Sequence, residues 1–308
     1  MKQLIYVIFC ICTYTCFAQQ TYSPKYISLQ LENDLVDKTD YYFTSGLSLS
    51  FAHPFFKKNA FNKLIPSLPH AAMQVYGIHI SQDIYTPADV DTASYLPTDR
   101  PYVGNLILYM QKVSFIPFKH LRLNSNLGFG FIGNIALGDQ TQNGFHSLIN
   151  NNNSAGWYHQ LDNKLLINYS FLLEKGLHVQ KNNQFIGILE SEIGNLRTNI
   201  GFGYLWRVGM LAPYFESYSY KKGQKAFYFS VFMDVKLKFV FYDVTIKESN
   251  QELMNPSYSL SPFVFRSRGG ITCMYKRFNA SFIQNFLSPE FSTGIFHRYA
   301  SMEIGYRF

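Results

Sequence analysis

The chain has 308 residues and a formal charge of +7; aromatic residues make up 18% of it and charged residues only 15%. The basic excess would suit nucleic acid or an anionic membrane surface, and the secretory start of the chain favours the membrane and excludes nucleic acid. No internal repeat and no second composition regime is visible, so we expect a single domain over residues 19–308.

The first 18 residues are predicted to be a secretory signal peptide. Lys2 supplies the positive end, residues 4–17 form an apolar stretch, and Ala18 ends a small-residue cleavage site. The segment is too short to be a spanning helix. Its removal would leave Cys273 as the remaining cysteine, so the mature chain would form no internal disulfide.

The rest of the chain alternates apolar and polar residues with a period of two, as a β-strand with one apolar face does. The clearest case is the stretch 226–242, where Asp234, Lys236 and Lys238 share one face. On a helix these charges would be spread around the surface and would face lipid, so this stretch is not a membrane helix. The predicted strands are 26–35, 42–53, 74–84, 103–115, 119–133, 160–174, 182–193, 196–207, 226–242, 266–275, 278–286 and 298–308.

These strands favour a membrane barrel over a soluble β-sandwich. Sandwich strands are usually about 5–6 residues long, whereas many of these approach the ~9–11 residues that a tilted strand needs to cross a bilayer. Tyr and Phe stand at many strand ends, as in interface girdles, and the strand count is even. The last strand alternates up to a terminal Phe308. We therefore predict an all-β, antiparallel up-and-down barrel of about 12 strands in the bacterial outer membrane.

One long polar loop, residues 138–161, interrupts the strand pattern. It carries Gln142, His146 and Trp157, and we expect it to be extracellular and partly helical. A loop of this length in an ordered protein is usually functional or disordered, and histidine titrates near neutrality. The alternative is a surface loop with an incidental histidine. We expect Trp157 to anchor the loop at the membrane interface, with acyl-chain packing as its second possible role.

Several polar elements, in their order along the chain, resemble the outer-membrane lipid A 3′-O-deacylase family over essentially the whole mature sequence. They are E-N-D-L at 32–35, Y-F-T-S-G at 42–46, S-Q-D-I-Y-T-P-A-D at 81–89, D-R-P-Y-V-G at 99–104, Q-N-G-F-H at 142–146, G-W-Y-H-Q-L at 156–161, and the aromatic-rich last strand. Departures from the family pattern are Phe43, Ser45, Ser81, Val103 and Lys164, the last standing where a glutamate is expected.

The resemblance implies calcium-dependent hydrolysis of an acyl ester on the 3′ side of lipid A, with lipopolysaccharide in the outer leaflet as partner. It places His146 as the catalytic histidine and Gln142 as a supporting site residue. Asn33 and Asp34 match an N-D pair in the calcium region, and Thr44 matches a threonine near the site. The charge reversal at Lys164 puts an identical substrate in doubt.

The residues themselves agree with such chemistry. A histidine can act as a general base near neutral pH, and the side-chain oxygens of Glu32, Asn33 and Asp34 suit a hard cation such as Ca²⁺ rather than zinc. No Ser–His–acid motif is evident, so we expect activated water rather than an acyl-enzyme. Arg100 is the alternative stabiliser of the oxyanion, although a structural ion pair with Asp99 is the interpretation we favour.

Two questions stay open at this level. Alternation places Glu32 and Asp34 toward the lumen and Asn33 toward lipid, whereas a site for lipid A should open to the outer leaflet; a bulge at the strand end could reconcile them. The rival functions are a non-catalytic pore or surface scaffold and an outer-membrane phospholipase, although no paired His and Ser supports the latter. We expect the protein to be a monomer.

Overall fold

The computed structural model describes residues 24–34, 41–148, 150, 153–216, 226–247 and 257–308, so the predicted signal peptide lies outside the described residues. Twelve antiparallel strands close into a barrel in which each strand pairs with its neighbours in sequence and β1 pairs with β12. The strands are β1 (Tyr26–Asn33), β2 (Tyr42–Ala52), β3 (Met73–Thr86), β4 (Val103–Ile116), β5 (Leu121–Ile132), β6 (Lys164–Val179), β7 (Asn183–Gly194), β8 (Arg197–Met210), β9 (Phe227–Asp243), β10 (Phe263–Tyr275), β11 (Phe278–Leu287) and β12 (His297–Arg307).

The predicted fold class and strand number are confirmed, and the main errors are at strand ends. β6 begins at Lys164 rather than at 160 and continues to Val179. The reason is that Gly156–His159 forms a 3-10 turn, after which the backbone of Leu161 donates to Tyr102 instead of joining a strand. An extended segment and a paired strand look alike in a sequence pattern.

The outer wall of the barrel, by which we mean its lipid-facing surface, carries the apolar half of the alternation. Leu29 of β1 lies opposite Ile304 of β12 and Leu49 of β2, and all three are exposed on this wall. Apolar side chains facing lipid are what a membrane barrel requires. The polar half of the alternation faces the lumen.

Polar contacts cross the lumen from one side to the other. The Arg197 guanidinium of β8 donates to the Tyr85 hydroxyl of β3 at 2.6 Å and also pairs with Asp243 at 2.8 Å. Along one side, the Lys236 ammonium pairs with Glu190 at 2.6 Å. Because β3 and β8 lie on opposite sides of the ring, these bonds bridge the interior, which argues against an open pore.

The two ends of the barrel differ in their connections. The start of β1 and the end of β12 lie at one end, where Tyr26 is opposite Arg307, and three connections there are short, at 117–120, 180–182 and 276–277. Short turns mark the periplasmic end of such barrels. The other, extracellular end carries long connections at 87–102, 133–163 and 244–262.

Helices occupy little of the described chain. They are α1 (Gly138–Leu148) in the connection 133–163, which confirms the predicted partly helical loop, and the single turn α2 (Val244–Lys247). Within the described ranges, neither is long and apolar enough to span a bilayer.

Candidate active site

The last residue of β1 and a bulge in β2 form one half of the site. Asn33 follows the lipid-facing Leu31 by two positions, so it lies on the outer wall, and its Nδ2 donates to the Thr44 carbonyl at 2.9 Å. Thr44 is the extra residue of the bulge, because Phe43 pairs with Tyr85 while Ser45 already pairs with Ile84. A bulge re-aims a side chain at the end of a ladder.

The bulge connects β2 to the end of β3. The Thr44 and Thr86 hydroxyls are 2.7 Å apart, and both residues are buried. Thr86 was not among the predicted site residues, although it belongs to the I-Y-T-P part of the element at 81–89. Two outer-wall positions earlier on β3, the Gln82 amide donates to the Ala136 carbonyl at 2.7 Å, which ties the connection before α1 to the wall.

The helix α1 forms the other half of the site. Gly138, Gln142 and His146 are its buried residues and recur every fourth position, so they form one stripe. A Cβ at Gly138 would lie 3.0 Å from the Cα of Gly104, the second residue of β4, which shows that this stripe faces the outer wall. Two facing glycines therefore let the helix backbone approach the strand closely, and the helix holds Gln142 and His146 against the barrel.

Trp157 fixes the orientation of the Gln142 amide. The indole Nε1 donates to Gln142 Oε1 at 2.8 Å, and both side chains are buried. Because an indole N–H can only donate, the amide must present its oxygen to Trp157 and its Nε2 elsewhere. That Nε2 is buried and has no hydrogen-bond partner among the described residues, so it is a donor available to a bound group.

The expectation that Trp157 anchors the loop at the membrane interface is wrong, because only 4% of the residue is exposed. It packs against Ile84 and Tyr102, with the Tyr102 ring centroid 5.1 Å away. A Cβ at Gly138 would lie 2.7 Å from the indole. The absence of a side chain at Gly138 therefore leaves room both for the barrel wall and for the Trp157 ring. The sequence signal for this role was the tryptophan's place in the same loop as Gln142.

The two predicted metal-binding carboxylates lie in different surroundings. Glu32 lines the lumen, where its carboxylate accepts from the Ser301 hydroxyl at 2.7 Å. Asp34 follows the end of β1, is 2% exposed, and accepts from the backbone N–H of Tyr41 at 2.9 Å, so it holds the two ends of the β1–β2 connection together. The structure thus places Asn33 on the outer wall and Glu32 inside, and it does not bring Glu32 to the same face as Asn33.

Arg100 lies with a group of residues that closes the extracellular mouth of the lumen. Its guanidinium pairs with Glu290 at 3.2 Å, donates to Thr245 at 3.0 Å and stacks over the Tyr85 ring at 4.2 Å. Arg100 thus forms a structural ion pair, but its partner is Glu290 and not Asp99 as we expected. The Asp99 carboxylate instead accepts from the backbone N–H groups of Ala88 and Arg100. Above the same mouth, burial raises the pKa of Tyr258, so this phenol stays neutral.

Lys164, the departure at which the family pattern has a glutamate, is exposed at the start of β6. Its neighbour Leu165 is one of the lipid-facing residues, so strand alternation puts Lys164 on the side away from lipid. The lysine is therefore on the opposite face of the wall from the stripe of α1.

The donor chemistry at the end of β1 can be tested against a metal ion. Among the described residues, no group of three or more His, Cys, Asp or Glu side chains could hold one. The Asp34 carboxylate, the Asn33 amide and the Thr44 hydroxyl are nevertheless all hard oxygen donors, and calcium accepts amide, hydroxyl and carbonyl oxygens beside carboxylates. The residues present fit calcium in kind.

Fold and site together define an outer-membrane barrel with a helix-covered, histidine-bearing site on its lipid-facing wall. A family model described as outer membrane protein LpxR matches residues 4–308. The chain therefore belongs to the LpxR family of outer-membrane proteins.

A solved structure of the same family shows the same fold. LpxR from Salmonella typhimurium superposes with a TM-score of 0.76 at 20% identity, covering 92% of this chain and 100% of that one. The β-domain of the Bordetella autotransporter BrkA reaches a TM-score of only 0.44 at 10% identity, covering 93% and 98%. No curated protein sequence matches the chain.

Proposed function

We propose that this protein is an outer-membrane lipid A deacylase that hydrolyses the ester-linked acyl chain at the 3′ position, with His146 as general base and calcium as cofactor. Membership of the LpxR family supports an outer-membrane lipid A deacylase in general. The observation that carries the finer proposal is the stripe of α1, which holds Gln142 and His146 one turn apart against the lipid-facing wall.

The position of the site suits a substrate that resides in the membrane. α1 covers the extracellular end of the outer wall, and its other side exposes apolar residues, among them Phe145 and Leu148. A lipid in the outer leaflet would reach the stripe sideways along the wall, without leaving the bilayer. A substrate entering through the lumen would instead meet the Arg100–Glu290 pair and the Arg197–Tyr85 bridge.

The proposed chemistry uses the two polar side chains of the α1 stripe. His146 takes a proton from water as the water oxygen attacks the ester carbonyl carbon. The Gln142 Nε2, held by Trp157 and lacking another partner, donates to the oxygen on which negative charge develops. The ester C–O bond then breaks, the sugar oxygen takes a proton from the histidine, and the fatty acid leaves.

Asn33, Asp34 and Thr44 would hold the calcium ion, which when bound would supply positive potential near the ester carbonyl. The bond from Asn33 to the Thr44 carbonyl and the contact between Thr44 and Thr86 hold Asn33 and Thr44 beside each other. The described part of the chain offers Asp34 as the carboxylate at this end of β1.

The test is mass spectrometry of lipid A from cells that express the chain, its His146→Ala variant or a control. We expect loss of one ester-linked acyl chain with the unmodified protein and none with His146→Ala. His178→Ala is the matched control, because His178 is exposed near the periplasmic end of β6. Unchanged lipid A with a folded, unmodified protein would favour a non-catalytic barrel, and deacylation by His146→Ala would make another group the base.

A further inference from the structure

The connection between β2 and β3, residues 53–72, is one of two long connections at the periplasmic end, the other being 211–226, whereas three connections there are short. We name it the β2–β3 segment. It forms two consecutive 3-10 turns, Pro54–Lys58 and Ala60–Lys63. His53 caps the first by accepting from Phe55 N at 3.1 Å, and Asn59 caps the second by accepting from Phe61 N at 3.0 Å. The segment is therefore a defined structure rather than a plain linker.

A buried lysine holds the β2–β3 segment on the outer wall. Lys112 of β4 donates from Nζ to the Asn62 carbonyl at 2.6 Å and to the Ile65 carbonyl at 2.7 Å. On the same strand, the Ser114 hydroxyl accepts from Leu68 N at 3.0 Å. Lys112 and Ser114 share the strand face of the lipid-exposed Leu108, so the segment covers lipid-facing wall and not lumen.

Apolar contacts continue this attachment. The Phe61 ring lies 5.5 Å from the ring of Phe129, an exposed residue of the lipid-facing wall of β5. Phe56 packs on Phe51 of β2, with ring centroids 5.8 Å apart. The β2–β3 segment thus starts at the periplasmic end of the apolar belt that the barrel presents to lipid, and it lies along this belt as far as Phe129.

The free side of the β2–β3 segment combines large apolar side chains with basic ones. Phe55 is 70% exposed and Leu64 is 57% exposed, and the lysines Lys57, Lys58 and Lys63 are exposed beside them. Residues 53–72 contain no Asp or Glu, so these lysines give the segment a formal charge of +3 with histidines neutral. Aromatic and aliphatic side chains next to lysines are typical of a structure that lies in a membrane interface.

We propose that the β2–β3 segment is an interfacial platform that lies in the periplasmic leaflet and binds the headgroups of anionic phospholipids. Phe55 and Leu64 would enter the boundary between headgroups and acyl chains, while the lysines meet phosphate. Lysines near an anionic membrane surface are attracted to it. A protein partner is disfavoured because the surface continues directly from the lipid-facing belt. The outer leaflet is excluded because the segment joins β2 to β3 at the periplasmic end of the barrel.

Tryptophan fluorescence can report whether the segment lies in the membrane. In a Trp206→Phe background, the buried Trp157 gives a constant baseline, and Phe55→Trp adds one reporter on the segment. The reporter should shift to the blue in phospholipid vesicles and be quenched by lipids brominated near the headgroup. A reporter with the spectrum of a water-exposed indole that brominated lipids leave unquenched would overturn the proposal.

The same reporter can measure the preference for anionic lipid. In vesicles of equal parts phosphatidylglycerol and phosphatidylcholine at low ionic strength, brominated phosphatidylglycerol should quench at least about twofold more than brominated phosphatidylcholine. Lys57→Gln/Lys58→Gln/Lys63→Gln should bring the two lipids to equal quenching. About 1 M salt should also bring the two lipids to equal quenching in the protein that keeps its lysines, because it shortens the screening length to ~3 Å. This measurement tests the proposal even if the triple variant folds poorly.

The matched control replaces exposed lysines of the three short periplasmic turns, namely Lys119, Lys181 and Lys276. Lys119→Gln/Lys181→Gln/Lys276→Gln should keep the lipid preference of the reporter. If the control variant lost the lipid preference equally, the preference would belong to the whole periplasmic end of the barrel, and the proposal that the β2–β3 segment binds the headgroups would be wrong. Equal quenching by both lipids at low salt in the unmutated chain would overturn the binding of anionic headgroups.

Discussion

Replacing Trp157 with Phe tests whether the orientation of the Gln142 amide matters for turnover. The change keeps an aromatic ring beside Tyr102 but removes the donor of the 2.8 Å bond, so the amide can turn its oxygen toward the site. A hydrogen bond of this kind is worth about 0.5–1.5 kcal/mol, which corresponds to a fall in kcat of about 2- to 13-fold. Gln142→Ala, which removes the donor itself, should cost ~10²–10³.

The assay is hydrolysis of lipid A in detergent micelles by the purified variants, followed by mass spectrometry. Trp206→Phe is the matched control, because Trp206 makes an indole-to-amide bond of the same 2.8 Å to Asn183 but is 46% exposed on the lipid-facing wall of β8. We expect Trp157→Phe to lower kcat with KM nearly unchanged and Trp206→Phe to change neither. Full kcat in Trp157→Phe, or an equal loss in Trp206→Phe, would refute the positioning of Gln142.

Three further predictions concern the helix, the mouth of the lumen and the metal. Gly104→Ala would place a Cβ 2.9 Å from the Cα of Gly138 and push α1 off the wall. Because a 1 Å misplacement of a catalytic group can lower the rate ~10²-fold, turnover should fall steeply. The variant barrel should still fold, and so should migrate faster on a gel before boiling than after it. Arg100→Ala should lower the temperature at which this fast-migrating form is lost. Leaving one partner of a buried ion pair unpaired costs about 3–5 kcal/mol, and the cost is smaller here because the Glu290 side chain is 26% exposed. A loss of kcat without a loss of stability would instead make Arg100 the oxyanion stabiliser. Chelation should stop turnover, calcium should restore it better than magnesium, and Asp34→Ala should raise the calcium concentration required; turnover that survives the chelator would contradict the metal.

The barrel could be predicted because its cause is local. In β9 the charges of Asp234, Lys236 and Lys238 fall on alternate positions, and only a strand gives them a common side away from lipid. The start of β6 could not be predicted in the same way. Gln160 is extended, as in a strand, but the backbone partner of the next residue, Leu161, is Tyr102, which lies far away in sequence. Pairing is a property of two segments and is not visible in either alone.

The candidate site also has features that one segment predicts and features that depend on the pairing of two segments. Gln142 and His146 stand four apart in one loop, so a shared helix face was predictable from spacing once the helix was assumed. The direction of the Thr44 side chain depends on a bulge that arises only when β2 pairs with β3, so no pattern within β2 indicates it. The bond from Trp157 to Gln142 likewise depends on how the connection 133–163 folds back on itself.

One rule would have located the covered parts of the wall from sequence alone. A polar side chain at a lipid-facing strand position is costly in a bilayer unless something covers it and bonds to it. Asn33, Gln82 and Thr86 occupy such positions at the extracellular end, in the region where the connection bearing α1 and the bulge of β2 supply their partners. Lys112 and Ser114 occupy such positions at the periplasmic end, and the β2–β3 segment covers them. The same break in alternation therefore marks both the candidate active site and the proposed phospholipid platform, and it indicates where on a barrel wall the chain itself replaces lipid.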